Sequence, residues 1–176
     1  MRVGMGFDVH PFEDGRRLVL GGVCFEGERG LRGHSDADAV AHAVADALLG
    51  AAGLGDLGSH FPDTDPQWAG ADSIALLTEV AAAVRAAGFA VANVDCTVVL
   101  EAPKLAPRRA EMQDRLAEAV GAPVSVKATR AEGLGAVGRG EGIACYAVVL
   151  LEESPLGREN ATPGGAQSRP SAEEHR

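Results

Sequence analysis

Along residues 1–151 two periodicities alternate, and that alternation limits the fold more than any other feature of the chain. The segments "RVGMGFDVH", "RRLVLGGVCF", "NVDCTVVLEA", "PVSVKAT" and "GIACYAVVLL" read as strands. In the third of them Val94, Cys96, Val98 and Leu100 fall on one face. Between the strands lie three segments of helical character. "HSDADAVAHAVADALLGAAG" has Ser35 or Asp36 to cap it and Gly50 or Gly53 to end it. "ADSIALLTEVAAAVRAAG" carries a buried stripe of Ile74, Leu77, Ala81 and Val84 and stops at Gly88. "PRRAEMQDRLAEAVG" places Met112, Leu116 and Val120 in register, with Gly121 after them. Strands that alternate with helices bury their apolar faces against one another, so an α/β sandwich is expected. The first two strand segments are expected to form a hairpin or ribbon.

The apolar share is 46% and the aromatic share 4%, so the core must rest on Ala, Val and Leu. A formal net charge of −9 argues against a nucleic-acid partner. An anionic substrate would then need local cations to hold it. Cys24, Cys96 and Cys145 are far apart and form no CxxC pair, which predicts buried thiols in a reducing compartment. The first residues lack the apolar segment of a secretion signal, and no apolar run approaches the roughly 18 residues of a membrane span. These features predict a soluble, cytoplasmic protein with no membrane partner. After Leu151 only Leu156 is large and apolar, so residues 154–176 are expected to be a disordered tail and residues 1–153 the folded domain.

In "GFDVHPF", Asp8 and His10 lie two apart on a strand and therefore point to one face. The first helix carries Asp38, His42 and Asp46 four apart, with His42 in an Ala-rich segment. Aspartate and two histidines with an open fourth position form a ligand set of catalytic zinc. Asp46 is placed to hold the other ring nitrogen of His42. Read singly, each histidine is equally a satisfied structural residue, and the spacing alone does not bring strand and helix together. The same three residues also suit a zinc-dependent phosphoester hydrolase, or a non-enzymatic scaffold in which Cys24 closes the zinc site.

Other segments carry weaker signals. His34 and Ser35 at a helix start suit either a phosphate contact or a plain cap. Asp56, Asp63 and Asp65 in "GDLGSHFPDTDP" are turn formers or acceptors for substrate hydroxyls. In "EAPKLAPRR", Lys104 is placed to meet a phosphate. "KATRAEGLGAVGRGEG" sets Thr129, Arg130 and Glu132 ahead of a glycine-rich loop without the GK[ST] of a nucleotide P-loop. Phosphate with a divalent ion suits that combination.

"GFDVHPF", "GHSDADAVAHAVADALLGAAGLGDLGSHFPDTDP", "APKLAP" and "GRGEGIA" together resemble the 2-C-methyl-D-erythritol 2,4-cyclodiphosphate synthase family, in order and spacing over about residues 1–151. The resemblance implies a four-stranded mixed sheet with three helices on one side and a small β-hairpin, assembled as a homotrimer with active sites between subunits. It implies zinc on Asp8, His10 and His42, and a second divalent ion, Mg²⁺ or Mn²⁺, on Glu132. It implies phosphate contacts from His34 and Ser35. A loop of Asp56, Leu57, Gly58, Phe61, Pro62, Asp63, Thr64 and Asp65 would take the methylerythritol part. A cytidine pocket would run through Leu100, Ala102, Pro103, Lys104, Leu105 and Ala106, continued by Thr129, Arg130 and Ala131. Arg139 would face a cavity on the trimer axis. The implied reaction converts 4-diphosphocytidyl-2-C-methyl-D-erythritol 2-phosphate to the 2,4-cyclodiphosphate by attack of the 2-phosphate on the β-phosphorus, with loss of CMP, in non-mevalonate isoprenoid synthesis. His34, Thr129 and Arg130 would be its catalytic residues. Two positions depart from the family pattern: Arg130 stands where a second Thr is usual, and Ala136 where many members carry Phe.

Overall fold

The computed structural model describes residues 1–154, and the expected tail after Ser154 lies outside the described residues. The chain runs β1 (Arg2–Glu13), β2 (Leu18–Leu20), β3 (Val23–Phe25), β4 (Gly30–Leu31), α1 (Ala39–Ala52), α2 (Leu57–His60), a 3₁₀ turn (Pro66–Trp68), α3 (Ser73–Ala86), β5 (Phe89–Val99), α4 (Arg109–Val120), β6 (Val124–Thr129), α5 (Gly135–Gly138) and β7 (Gly142–Glu153). One mixed sheet has the order β4-β1-β7-β5-β6. Only β5 and β6 in it run parallel. The others pair antiparallel.

The sheet has five strands where four were expected, because Phe12 and Glu13 at the end of β1 pair with the two-residue β4. The extra helices α2 and α5 are single turns of four residues inside segments that read as loops. The hairpin lies wholly within the second strand segment, as β2 and β3, and turns at Gly21 and Gly22, both at positive φ. β1 pairs instead with β7, from Arg2↔Leu151 to Pro11↔Gly142.

Helix α1 starts at neither expected cap. Asp38 caps it by accepting from the backbone N–H groups of Val40 and Ala41, and it also accepts from Gly21 and Gly22. Those four donors explain how a fully buried carboxylate is tolerated there. Burial and the neighbouring Asp36 charge still raise its pKa. Gly53, in the left-handed region, ends the helix.

The seating of α1 on β1 depends on two glycines. A Cβ on Gly4 would lie 2.0 Å from the Ala47 carbonyl oxygen, and one on Gly6 would lie 2.0 Å from that of Ala43. The helix therefore rests on bare strand backbone. Strand alternation then sends Asp8 and His10 to the same face as the two glycines, toward α1. The odd positions point the other way: Val3, Met5, Phe7 and Val9, with Tyr146 and Val148 of β7, stay exposed on the face without helices.

Candidate active site

His10 and Asp8 of β1 meet His42 of α1. The atoms Asp8 Oδ2, His10 Nε2 and His42 Nδ1 lie 2.9, 2.9 and 3.3 Å apart in pairs. They are the group of metal-ligand type found among the described residues. His10 Nδ1 donates to the Arg32 carbonyl oxygen at 2.7 Å, which leaves Nε2 as the nitrogen that faces Asp8. Gly33 gives the ring its room, since a Cβ there would stand 3.0 Å from His10 Cε1.

Burial works to raise the Asp8 carboxyl, but hydrogen bonds and charge from His10 and His42 outweigh it and hold it well below the usual range. For His10, burial works downward. The Asp8 hydrogen bond and charge overcome it, with help from the Arg32 carbonyl, and the imidazole ends above its ordinary value. Such a pocket favours a concentrated positive charge. One carboxylate and two imidazole nitrogens, half-buried and open on one side, fit a divalent zinc-like ion, which would supply charge neutralisation to a bound anion. Cys24 is not in the cluster; it lines a separate hollow with Arg17 and Asp36, so the closed scaffold site has no sulfur ligand from it.

The cluster floors a cavity of about 660 Å³. His34, Ser35, Leu57, Gly58, Phe61, Pro62 and Asp63 also line it, together with Arg32 and Trp68, which were not foreseen. His34 is exposed and its Nε2 donates to the Asp65 carbonyl. Ser35, by contrast, is buried and its hydroxyl lies 3.0 Å from His42 Nε2. The carboxylate of Asp56 caps α2 by accepting from Ser59, and that of Asp65 caps the 3₁₀ turn by accepting from Gln67. Asp46 is corrected outright: its carboxylate accepts from the Leu57 N–H at 2.7 Å, and His42 Nε2 turns to Ser73 Oγ at 2.8 Å.

A second cavity of about 260 Å³ is lined by Leu100, Pro103, Lys104, Leu105, Ala106, Thr129 and Arg130, with Glu101 and Ala128. Ala102 faces a neighbouring hollow, and its bond to Pro103 is cis. Glu101 was overlooked. It accepts from Arg130 Nε at 2.8 Å, pairs with Arg130 Nη2 at 2.7 Å and accepts from the Ala131 N–H at 3.0 Å. The Arg130 hydrogen bond keeps the Glu101 carboxyl below its usual range. Glu132 follows in the left-handed region at φ 53, exposed. Arg139 is exposed and paired with Glu141.

The two cavities open at one end of the sheet. Ala144 of β7 pairs with both Val9 and Val99, and Val99 pairs with Thr129. At about 4.8 Å per strand, three steps set β1 and β6 roughly 14 Å apart there.

A family model described as the YgbB family matches residues 1–152. A bifunctional enzyme IspD/IspF of Anaeromyxobacter sp. (strain Fw109-5) is 64% identical over 152 residues, 85% of this chain and 39% of that protein. The chain thus spans about two fifths of the length of that relative. A 2-C-methyl-D-erythritol 2,4-cyclodiphosphate synthase of Syntrophobacter fumaroxidans is 57% identical, over 86% of this chain and 97% of its own. The bifunctional IspDF structure from Campylobacter jejuni matches with a TM-score of 0.83 at 42% identity, over 86% of this chain and 42% of that one. A CDP-bound 2C-methyl-D-erythritol-2,4-cyclodiphosphate synthase structure matches with a TM-score of 0.78 at 39% identity, over 86% of this chain and all of that one. This chain belongs to the YgbB family, the 2-C-methyl-D-erythritol 2,4-cyclodiphosphate synthases.

Proposed function

We propose that this protein closes 4-diphosphocytidyl-2-C-methyl-D-erythritol 2-phosphate into the 2,4-cyclodiphosphate, for isoprenoid precursor synthesis. An oxygen of the 2-phosphate bonds to the β-phosphorus, the bond from that phosphorus to the oxygen shared with the α-phosphorus breaks, and CMP departs with that oxygen. The nucleophile is already ionised, so no activated serine or cysteine is required. Holding both ends of one flexible molecule in contact contributes up to about 7–11 kcal/mol in ideal cases. The observation that carries the reading is the convergence of Asp8, His10 and His42 on the floor of a cavity large enough for a sugar phosphate.

Zinc at that cluster would neutralise the crowded phosphates. His34, exposed at the same cavity, adds a third imidazole beside His10 and His42. Leu57, Gly58 and Phe61 give a partly apolar wall for the methylerythritol carbons, and Asp63 an acceptor for its hydroxyls. The cavity of Leu100 to Ala106 takes the cytidine, with Lys104, Thr129 and Arg130 toward its phosphates; bound CDP in a matching solved structure supports this. Glu132 would hold the second ion, Mg²⁺ or Mn²⁺, and Arg139 would face the axis. Free Cys24, Cys96 and Cys145 suit a reducing, cytoplasmic setting.

The two cavities share no lining residue. We therefore infer a homotrimer in which the zinc cavity of one subunit meets the nucleotide cavity of the next. The bare apolar face of Val3, Met5, Phe7, Tyr146 and Val148 supports burial against other copies. Sedimentation should give three times the 18.0 kDa chain mass; a monomer would defeat the shared site. Phosphorus NMR of the cytidylated substrate with zinc and magnesium tests the reaction. Cyclic diphosphate and CMP in equal amounts are expected. Inorganic phosphate or open-chain products would support a hydrolase instead.

A further inference from the structure

His42 has two ring nitrogens, and only Nδ1 faces Asp8 and His10. Its other nitrogen, Nε2, meets Ser73 Oγ at 2.8 Å and Ser35 Oγ at 3.0 Å. A hydroxyl can donate or accept, so these distances alone do not place the imidazole proton. Asp36 settles the direction. Its Oδ1 accepts the Ser73 hydroxyl proton, and its Oδ2 accepts from the Ser73 backbone N–H at 3.2 Å. A carboxylate only accepts, so the single Ser73 proton is committed to Asp36. The Ser73 oxygen must then accept from His42, which puts a ring proton on Nε2 and leaves Nδ1 as the nitrogen that faces Asp8 Oδ2 and His10 Nε2.

The relay is built into the core. Ser73 is 1% exposed and is the first residue of α3. The Asp36 backbone N–H donates to the Ala71 carbonyl at 3.0 Å, which braces the Asp36 segment against the approach to α3. Ser35 is held in place by accepting from the Ala37 N–H at 3.2 Å. A carboxylate behind the serine also makes its oxygen a better acceptor, and so makes the imidazole a stronger donor through Nδ1.

We propose that Ser73 and Asp36 are positioning residues that fix His42 as its Nε2–H tautomer and so present Nδ1 to a divalent ion. With His10 likewise held through Nδ1–H by the Arg32 carbonyl, Asp8 Oδ2, His10 Nε2 and His42 Nδ1 converge as three atoms that a divalent ion would bind together. The inference rests on the metal reading for its purpose but not for its test.

Nitrogen-15 NMR of the metal-free protein reads the His42 tautomer directly, and titration with Zn²⁺ against a competing chelator reads the affinity. In the wild type the proton is expected on Nε2. Ser73→Ala removes the hydroxyl and keeps the backbone N–H to Asp36. It should give mixed His42 tautomers and zinc binding about 10–100-fold weaker, the usual effect of losing a partner behind a metal ligand. Ser73→Thr should restore both. If either replacement proves unstable, Asp36→Asn tests the same relay from its other end and should mix the tautomers as well. A Ser73→Ala protein with an unchanged tautomer and wild-type affinity would overturn the proposal. A wild type that takes up no zinc would overturn the metal reading instead, and the tautomer measurement would still decide the role of Ser73.

Discussion

The cavity over Asp8, His10 and His42 and the cavity of Leu100 to Ala106 sit at the same end of one sheet but are built in opposite ways. The first is braced from within. Asp8 and His10 rise from the middle of a strand paired along its whole length, and His42 stands on a helix pressed against that strand at Gly4 and Gly6. Its three polar groups are half-buried: the Arg32 carbonyl holds the other nitrogen of His10, Ser35 and Ser73 hold that of His42, and Asp8 Oδ1 accepts from the Val9 N–H. The second cavity is assembled from strand ends and loops, and its charged groups are mostly exposed. Arg130 is 64% exposed on its side chain, and one carboxylate, Glu101, holds it. The difference shows where rigidity is needed. A small ion tolerates ligand errors of no more than about 0.2 Å, which suits a site anchored in the core. A nucleotide of the kind proposed for the second cavity would be bound by many weak contacts, which need less rigid support.

Breaking the braced side should have the largest effects. His42→Ala removes a ligand, and bound zinc should fall from one per chain to near zero, with turnover down by at least about a hundredfold. Metal analysis after dialysis checks this; zinc that stays stoichiometric would remove His42 from the ligand set. Gly6→Ala drives a Cβ into the Ala43 carbonyl. The helix must shift, at a cost of about 3 kcal/mol or more. Urea unfolding measures it, and an unchanged midpoint would show that α1 is not held by that contact.

A pH series sharpens the contrast at intermediate size. In the metal-free protein Asp8 is held below its ordinary pKa, so its stabilisation is present above about pH 4 and is lost as pH falls through the lowered value. His10 is held above its ordinary pKa, so its stabilisation is present below about pH 6.5 and is lost as pH rises through the raised value. Thermal unfolding should therefore show the metal-free protein losing stability as pH rises above about 6.5. Zinc should abolish that loss, because it needs the same ligands free of protons. A metal-free melting temperature that stays flat over this range would contradict the pairing. The smallest effects belong to the exposed side. Glu101→Gln and Arg130→Thr should each raise KM for the cytidylated substrate by about 2–10-fold, with stability changed by less than about 1 kcal/mol. Steady-state kinetics decides; an unchanged KM in both would take this ion pair out of substrate binding.

The same contrast governs how far the site could be read from the chain. Strand period two put Asp8 and His10 on one face, and helical stripes placed Met112, Leu116 and Val120 in the core as found. The α1 cap was missed because "HSDAD" offers several capping residues. Tertiary partners chose among them: the Gly21 and Gly22 amides took Asp38, while Ser35 and Asp36 turned to His42 and Ser73. Asp46 shares a face with His42, but the amide of Leu57 at the start of α2 draws its carboxylate away. Ser73 lies 31 residues beyond His42, and nothing in their spacing links them. The two-residue β4 is too short to carry any periodic signal.

X-ray absorption at the zinc edge of the zinc-loaded protein tests the central claim most directly. The account predicts a first shell of nitrogen and oxygen at about 2.0–2.1 Å with two imidazole scattering patterns and no sulfur. A sulfur shell near about 2.3 Å, or a single imidazole, would contradict it.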